Sequence, residues 1–312
     1  MDWQQLFYNL GYVFTAITAV YLTGWLIYDK VATRNYSLSK SIFEDRNLAA
    51  GIEVVGFLLV EVLIAVSALS GEEIKIVDES GQLVVNYLRD LEAVAVTIVF
   101  CNITFFLFRW LTAVLLKFNF RDKLDSHGEK VRFNNEIFNQ RNLGASLFSL
   151  SFLLVMYFMI LQEDFLGIQR YQIESYLNMS AVLIMGVLVY FLFNTFFMAS
   201  GHTTLDELFI DNNAGVGLSL MGLMFTVLYM QSKVIAHFQQ GEHFFNLDGE
   251  SYLQLLVLIT FIFLFRKLFT MLVGFFSGKS YQKEFLVEDN PVVGILDFGF
   301  VISAGMLLGV VI

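Results

Sequence analysis

The sequence predicts an all-α, polytopic integral membrane protein with eight transmembrane helices, arranged as four parallel-repeated two-helix hairpins. Three observations carry that prediction. Aliphatic and aromatic residues make up 57% of the chain and charged residues only 15%, against roughly 25% charged in soluble domains. The mean hydropathy is +0.66. Eight apolar segments reach the roughly 20 residues that cross a hydrocarbon core of about 30 Å: 9–28, 49–69, 91–116, 143–161, 178–200, 214–232, 252–276 and 292–312. Finally, one pattern recurs four times: an Asn, a small residue four positions later and another five after that, opening an apolar run. It begins at Asn47, Asn142, Asn213 and Asn290.

Backbone groups in lipid must be satisfied internally, so spanning segments are helices or closed-barrel strands. Continuous apolar runs without alternation favour helices. The N-terminus carries an acid and no base, unlike a secretory n-region, so 9–28 reads as a retained first span. The second helix of each hairpin starts at its Asn. The first helices repeat as well. Phe106-Leu107-Phe108-Arg109 in span 3 matches Phe263-Leu264-Phe265-Arg266 in span 7, and span 5 has the related Phe191-Leu192-Phe193-Asn194. Arg46-Asn47-Leu48 and Phe57-Leu58-Leu59-Val60 recur at identical offset as Arg141-Asn142-Leu143 and Phe152-Leu153-Leu154-Val155.

A two-span unit brings every copy into the membrane in the same direction. Such copies are related by an axis along the membrane normal. A parallel pseudo-symmetric bundle is expected, and inverted-repeat transporters are disfavoured. Residues 1–162 form the first four-span half and 163–312 the second, within one bundle.

Lys and Arg set the orientation. The connections after spans 1, 3, 5 and 7 hold twelve: Lys30, Arg34, Lys40, Arg46, Lys117, Arg121, Lys123, Lys130, Arg132, Arg141, Lys279 and Lys283. The other side holds Lys75, Arg89, Arg170 and Lys233. The Asn-bearing side is therefore expected in the cytoplasm, with both termini outside. Glu72, Glu73, Asp78 and Glu79 make the outer connection 70–90 acid-rich. A net charge of −10 does not suggest nucleic-acid binding, and Cys101, the only cysteine, rules out an intrachain disulfide or a Cys-based metal site.

Asn is among the best helix N-caps, and Pro291 follows Asn290 at the first helical position, where proline is favoured. The four Asn residues are expected to start helices 2, 4, 6 and 8. The alternative is four positive helix ends converging on an anion or acidic lipid headgroup. Asp45, Asp211, Glu288 and Asp289 beside the caps argue against a phosphate guest. Gly51, Ser146, Gly217 and Gly294 lie one turn inside each helix, and Gly56, Ser151, Gly222 and Gly299 five residues deeper. The two sets are separated by about 140° at 3.6 residues per turn, so they face different neighbours. Close helix packing is the usual use of small residues in membranes, and a glycine-lined pore is the other reading.

Ionisable groups at membrane depth are functional candidates. Glu53, Glu61 and Asp297 lie in second helices; Arg109 and Arg266 occupy equivalent places in first helices, with Asn194 in that place in span 5. Three readings compete. Arg109, eight residues before Lys117, can snorkel to the interface; Glu53 or Asp297 can pair with the arginines; or the carboxylates can mark a polar pathway with Glu61 deepest. Glu61 is too short to snorkel and has no basic neighbour in its span. It is either a proton-binding group or an inert protonated core residue.

His127, His202, His237 and His243 fall in connections without metal-ligand spacing. Segment 117–141 mixes bases with Phe118, Phe120, Phe133 and Phe138, as an interfacial helix on an anionic leaflet or a plain basic loop would. No phosphate loop, HExxH or GxSxG is present.

A polar Asn turn followed by small residues opening an apolar helix, twice per four-span protein, resembles the bacterial membrane family of domain of unknown function 350. The matching residues are Asn47–Gly51, Asn142–Ser146, Asn212–Gly217 and Asn290–Gly294. The resemblance covers nearly the whole chain as two family-length halves; the fourth copy departs by replacing the Ala pair with Pro-Val. It implies a multi-pass bacterial inner-membrane protein and no particular reaction.

Two functions follow. One is a conduit for protons or a small cation through Glu53, Glu61 and Asp297. The other is a non-transporting scaffold that recruits a cytoplasmic protein or anionic lipid through 117–141. An intramembrane enzyme lacks a nucleophile–base or metal constellation. No cofactor or metal is expected. Membrane lipid is an expected partner, with a homo-oligomer possible through isologous contacts.

Overall fold

The computed structural model describes residues 3–69, 75–77, 83–85, 87–125, 127–161, 173–238 and 249–310. Glu72, Glu73, Asp78, Glu79, Arg170 and His243 lie outside the described residues. Helix α1 (Trp3–Ile27) continues through a π-helical turn (Tyr28–Ala32), and a second π turn (Lys40–Glu44) precedes α2 (Leu48–Leu69). A short antiparallel pair, β1 (Lys75–Val77) and β2 (Leu83–Val85), leads to α3 (Tyr87–Asn119). Then follow α4 (Phe133–Phe138), α5 (Leu143–Leu161), α6 (Ile173–Phe196), α7 (Thr204–Phe209), α8 (Ala214–Phe238), α9 (Gly249–Ser277), α10 (Tyr281–Leu286) and α11 (Pro291–Leu308).

Among the described residues, three helical stretches are both long and apolar enough to cross a membrane: Ala214–Val234, Gly249–Ser277 and Pro291–Leu308. Leu143–Met159 and Ser180–Phe196 are shorter apolar stretches. The outward faces agree. Phe14, Leu22, Ile103, Leu107, Trp110, Ile184, Phe191, Leu256, Leu264 and Phe275 are all exposed. So much contiguous apolar surface needs lipid around it. The chain is a helical membrane protein.

The capped helices α2, α5, α8 and α11 pack side by side in that order. Each later first helix lies against two of them: α3 against α2 and α5, α6 against α5 and α8, α9 against α8 and α11. Helix α1 packs chiefly on α2. The small residues explain the spacing. Ser146 donates from its hydroxyl to the Ala49 carbonyl on the preceding capped helix (2.9 Å). A Cβ on Gly217 would sit 2.7 Å from Leu147 Cβ, and one on Gly294 2.3 Å from Gly215 Cα. The residues five positions deeper look the other way: Gly56 receives Leu150 of α5, and Gly222 receives Phe298 of α11. The 140° offset thus becomes a row, one small residue facing back and one facing forward.

Two positions break the expectation of close packing. A Cβ on Gly51 or on Gly299 would meet nothing within 4 Å. Gly51 faces back from the first helix of the row and Gly299 faces forward from the last, so neither has a neighbour. The architecture is an open row rather than a closed bundle, with α2 and α11 at its ends.

Each capped helix is preceded by a short helical segment beginning nine residues before the Asn; in the first copy this segment includes the second π turn. The residue just before each Asn holds a left-handed backbone: Arg46 (φ 50°), Arg141 (58°), Asn212 (56°) and Asp289 (49°). None is glycine, although that region is costly for other residues. The reversal lets each Asn N–H reach the carbonyl six residues earlier: Asn47 to Ser41, Asn142 to Glu136, Asn213 to Glu207 and Asn290 to Glu284.

Segment 117–141 is not one interfacial helix. It is the last turn of α3, a loop bridged at Leu124 and Lys130, and then α4. Phe120, Phe133 and Phe138 are buried and only Phe118 is strongly exposed, so the aromatic residues serve the core.

Candidate functional site

All four Asn residues cap as expected. The Oδ1 of Asn47, Asn142 and Asn213 accepts from the third amide of its helix, Ala50, Ala145 and Val216; that of Asn290 accepts from Val292 after Pro291. Such a cap contributes roughly 1 kcal/mol. The amide side is also used. Asn47 Nδ2 donates to the Ile137 and Phe138 carbonyls of the next copy, and Asn213 Nδ2 to the Phe285 carbonyl. Asn142, Asn213 and Asn290 also donate to the carboxylates of Glu136, Glu207 and Glu284. These glutamates, six residues before the Asn, escaped the sequence reading. Their regular spacing is the signal that could have found them, and Ser41 breaks it in the first copy.

Among these groups outside the spans, burial pushes the Glu136 carboxyl up to about 7, with Asp125 adding to the rise and Asn142 opposing it. Burial, then the charges of Glu207 and Asp211, push Asp289 up to about 6. Glu136 and Asp289 are therefore held toward their neutral forms at the capped end.

The intramembrane charges form two separate sites of one design. In the first half, Glu53 Oε1 on α2 pairs with Arg109 Nη1 on α3 and accepts from Ser149 Oγ on α5 (2.9 Å). Arg109 also donates to Asn134, whose own amide donates to the Ala32 carbonyl. The Phe133, Phe105 and Tyr28 rings surround the guanidinium, with centroids 4.7, 5.4 and 5.6 Å away. In the second half, Arg266 Nε on α9 lies 2.9 Å from both oxygens of Asp297 on α11, and Ser219 Oγ on α8 donates to the same carboxylate. The Phe197 ring lies 3.4 Å from the guanidinium carbon.

Counted from each Asn, Glu53 is the sixth residue and Ser149 the seventh; Ser219 is the sixth and Asp297 the seventh. The acid and the hydroxyl have exchanged sides of one interface, while the arginine comes from the later copy in both. Of the three sequence readings, pairing describes the structure. Arg109 does not snorkel: it is only 7% exposed, because a carboxylate and three rings hold it inside. The middle interface has Phe148 and Leu220 at these positions, both buried. There Asn194 turns to another task and accepts from the Thr204 amide and hydroxyl (both 2.9 Å).

The three carboxylates do not line one path. Glu53 and Asp297 sit at opposite ends of the row, and Glu61 is eight residues beyond Glu53 on α2, about 12 Å along the axis. Glu61 is 2% exposed; Oε1 accepts from Asn102 Nδ2 of α3 (2.8 Å), and Oε2 has no hydrogen-bond partner. Ser149, Ser219, Asn134 and Asn102 were not singled out by sequence, because neutral polar residues in apolar helices carry no signal until their partners are known.

A cleft of about 840 Å³ opens beside the first site, toward the capped end. Arg109, Lys117, Arg121, Lys130 and Arg132 line it, with Phe106, Trp110, Phe120 and Phe133 as its apolar wall, and no Asp or Glu is among its lining residues. A second hollow of about 510 Å³ shares Asn35 and Tyr36 with it and adds Lys30, Arg34 and one acid, Asp29.

No curated protein and no solved structure matches the chain. The family model described as Domain of Unknown Function (DUF350) matches it twice, over residues 1–162 and 171–312. With both matches together spanning nearly its whole length, the chain belongs to the DUF350 family and carries the domain as a tandem duplication.

Proposed function

We propose that the chain is an inner-membrane scaffold of eight spans that neither transports nor catalyses, and that its first half holds an anionic lipid headgroup. In this reading all four hairpins enter in the same direction, the capped end faces the cytoplasm and both termini face outside. The twelve-to-four bias of basic residues supports that orientation. The basic cleft carries the functional reading: Lys117, Arg121, Lys130 and Arg132 stand with the Glu53-paired Arg109 along an aromatic wall that opens toward the capped end. Each Lys or Arg near an anionic surface contributes about 1 kcal/mol, and aromatic rings suit the interface. The Glu53–Arg109 pair braces the cleft floor, because Arg109 belongs to both.

One observation favours a second reading. Glu61 presents a buried oxygen without a hydrogen bond, as a proton-relay carboxyl would. That conduit would run through Glu61 and Asn102 rather than through all three carboxylates.

One reconstitution separates the two. Purified protein in phosphatidylethanolamine vesicles with a minor share of phosphatidylglycerol is expected to retain phosphatidylglycerol after detergent extraction, read by mass spectrometry. A Lys117→Gln/Arg121→Gln/Lys130→Gln/Arg132→Gln variant should retain several-fold less. The same vesicles should show no flux of H⁺, K⁺ or Na⁺ above empty ones. Equal retention by the variant ends the headgroup reading. Proton flux abolished by Glu61→Leu replaces scaffolding with the conduit.

A further inference from the structure

We propose that the chain assembles head to tail with copies of itself, α11 of one copy packing on α2 of the next through the contact that already joins α2 to α5, α5 to α8 and α8 to α11. The inference does not rest on the headgroup reading. It rests on the two ends of the row, which are unfinished in complementary ways.

Inside the chain the contact has fixed parts. The second residue after one Asn touches the fourth residue after the next: Ala49 with Ser146, Gly144 with Gly217, Gly215 with Gly294. Within each half the ninth residue receives the next copy's eighth: Gly56 takes Leu150 and Gly222 takes Phe298. Continued past α11, the rule pairs Val292 with Gly51 of the next copy and Gly299 with its Val55. All four are open. Val292 is 58% and Val55 54% exposed, and a Cβ on either glycine would meet nothing within 4 Å.

The capped end is unfinished as well. Asn47 and Asn213 donate to a carbonyl of the following short helix within their own half, at Ile137 and at Phe285. Asn142, at the apolar joint between halves, donates to Glu136 instead, as Asn290 does to Glu284, so Asn290 is already arranged as an apolar joint requires. The residue that follows this carbonyl position shows what is missing: Phe138, Phe209 and Leu286 are buried beneath the preceding copy, whereas Phe43 is 72% exposed. Helix α1 completes the picture. Its counterparts α3, α6 and α9 each lie against two capped helices, and α1 packs chiefly on one.

The chemistry of the joint also fits. Polar acid–arginine interfaces lie within each half, and the interface between halves is apolar at the same positions. The new joint would bring the exposed Leu296 over Val54, which its own chain already buries; both are apolar, so polar and apolar joints would alternate through the assembly. A contact of this kind joins different faces of the two partners, and so builds a ring or a continuing array.

The test is disulfide trapping in native membranes, in a Cys101→Ser background. Differently tagged Val55→Cys and Gly299→Cys chains are co-expressed and oxidised with copper phenanthroline; Gly51→Cys with Val292→Cys forms a second pair. Both mixed pairs are expected to give an adduct of twice the chain mass carrying both tags, several-fold above any single variant alone. Val55→Cys linking equally well to itself would mean an isologous joint and overturn the proposal. A Val55→Cys/Gly299→Cys chain that forms the bond within itself would overturn it too. The unmodified protein, extracted with its lipid into nanodiscs, supplies the independent check: a mass of more than one chain is expected, and a single-chain mass, with lipid or another protein on both ends, refutes the assembly.

Discussion

Arg109→Ala is expected to cost about 3–5 kcal/mol, because it strands the Glu53 carboxylate in a buried site. Glu53 is fully buried and keeps only the Ser149 hydroxyl once the arginine is gone. Glu53→Gln/Arg109→Met should recover most of that loss, since a neutral, well-filled site avoids the unpaired charge. A more particular result follows from the two halves. Asp297 occupies the seventh position of its copy and Ser219 the sixth, the reverse of Glu53 and Ser149. Glu53→Ser alone should therefore be destabilising, and Glu53→Ser/Ser149→Asp should restore the pair with Arg109. Thermal unfolding in detergent, followed by size-exclusion recovery, reads all of these. A double variant no better than Glu53→Ser would mean that the two sites are not versions of one design.

Gly294→Ala should lower stability by roughly 1–3 kcal/mol or more, the usual range for overpacking. Its new methyl would lie 2.3 Å from Gly215 Cα and 2.5 Å from the Gly215 carbonyl oxygen. Those are backbone atoms and cannot rotate aside, so α8 and α11 would have to part. Gly51→Ala, at the equivalent position of the first copy, should instead be neutral or stabilising by up to about 1 kcal/mol, the helix-propensity difference. Nothing stands within 4 Å of that site in the chain, and the equivalent Ser146 shows that a small side chain fits the joint. Equal effects at both positions, measured by the same unfolding assay, would contradict the open row.

How much of this could be read from the sequence depends on the kind of interaction. The helix starts were legible, because an Asn cap is a local device and its signal lies within a few residues. The back-and-forward facing of the small residues was legible too, since helical geometry alone separates positions four and nine. Pairing of Glu53 with Arg109 and of Asp297 with Arg266 was one of three open readings. Choosing among them required knowing which helices adjoin, and helix adjacency is a long-range property. The hydroxyl partners Ser149 and Ser219 were invisible for the same reason. That Gly51 and Gly299 are empty rather than packed follows from their place at the ends of a row, and a repeat pattern cannot announce where the row stops.

Substituted-cysteine labelling tests the central claim most directly. Arg34, Arg121, Ser200 and Ser277 are exposed and lie at the capped end, one in each hairpin. Cysteine at each, in a Cys101→Ser background, is offered a membrane-impermeant maleimide from one side of sealed vesicles and then from the other. All four are expected to label from the same side, and that side only. Labelling of Arg34→Cys and Ser200→Cys from opposite sides would contradict the account at its root.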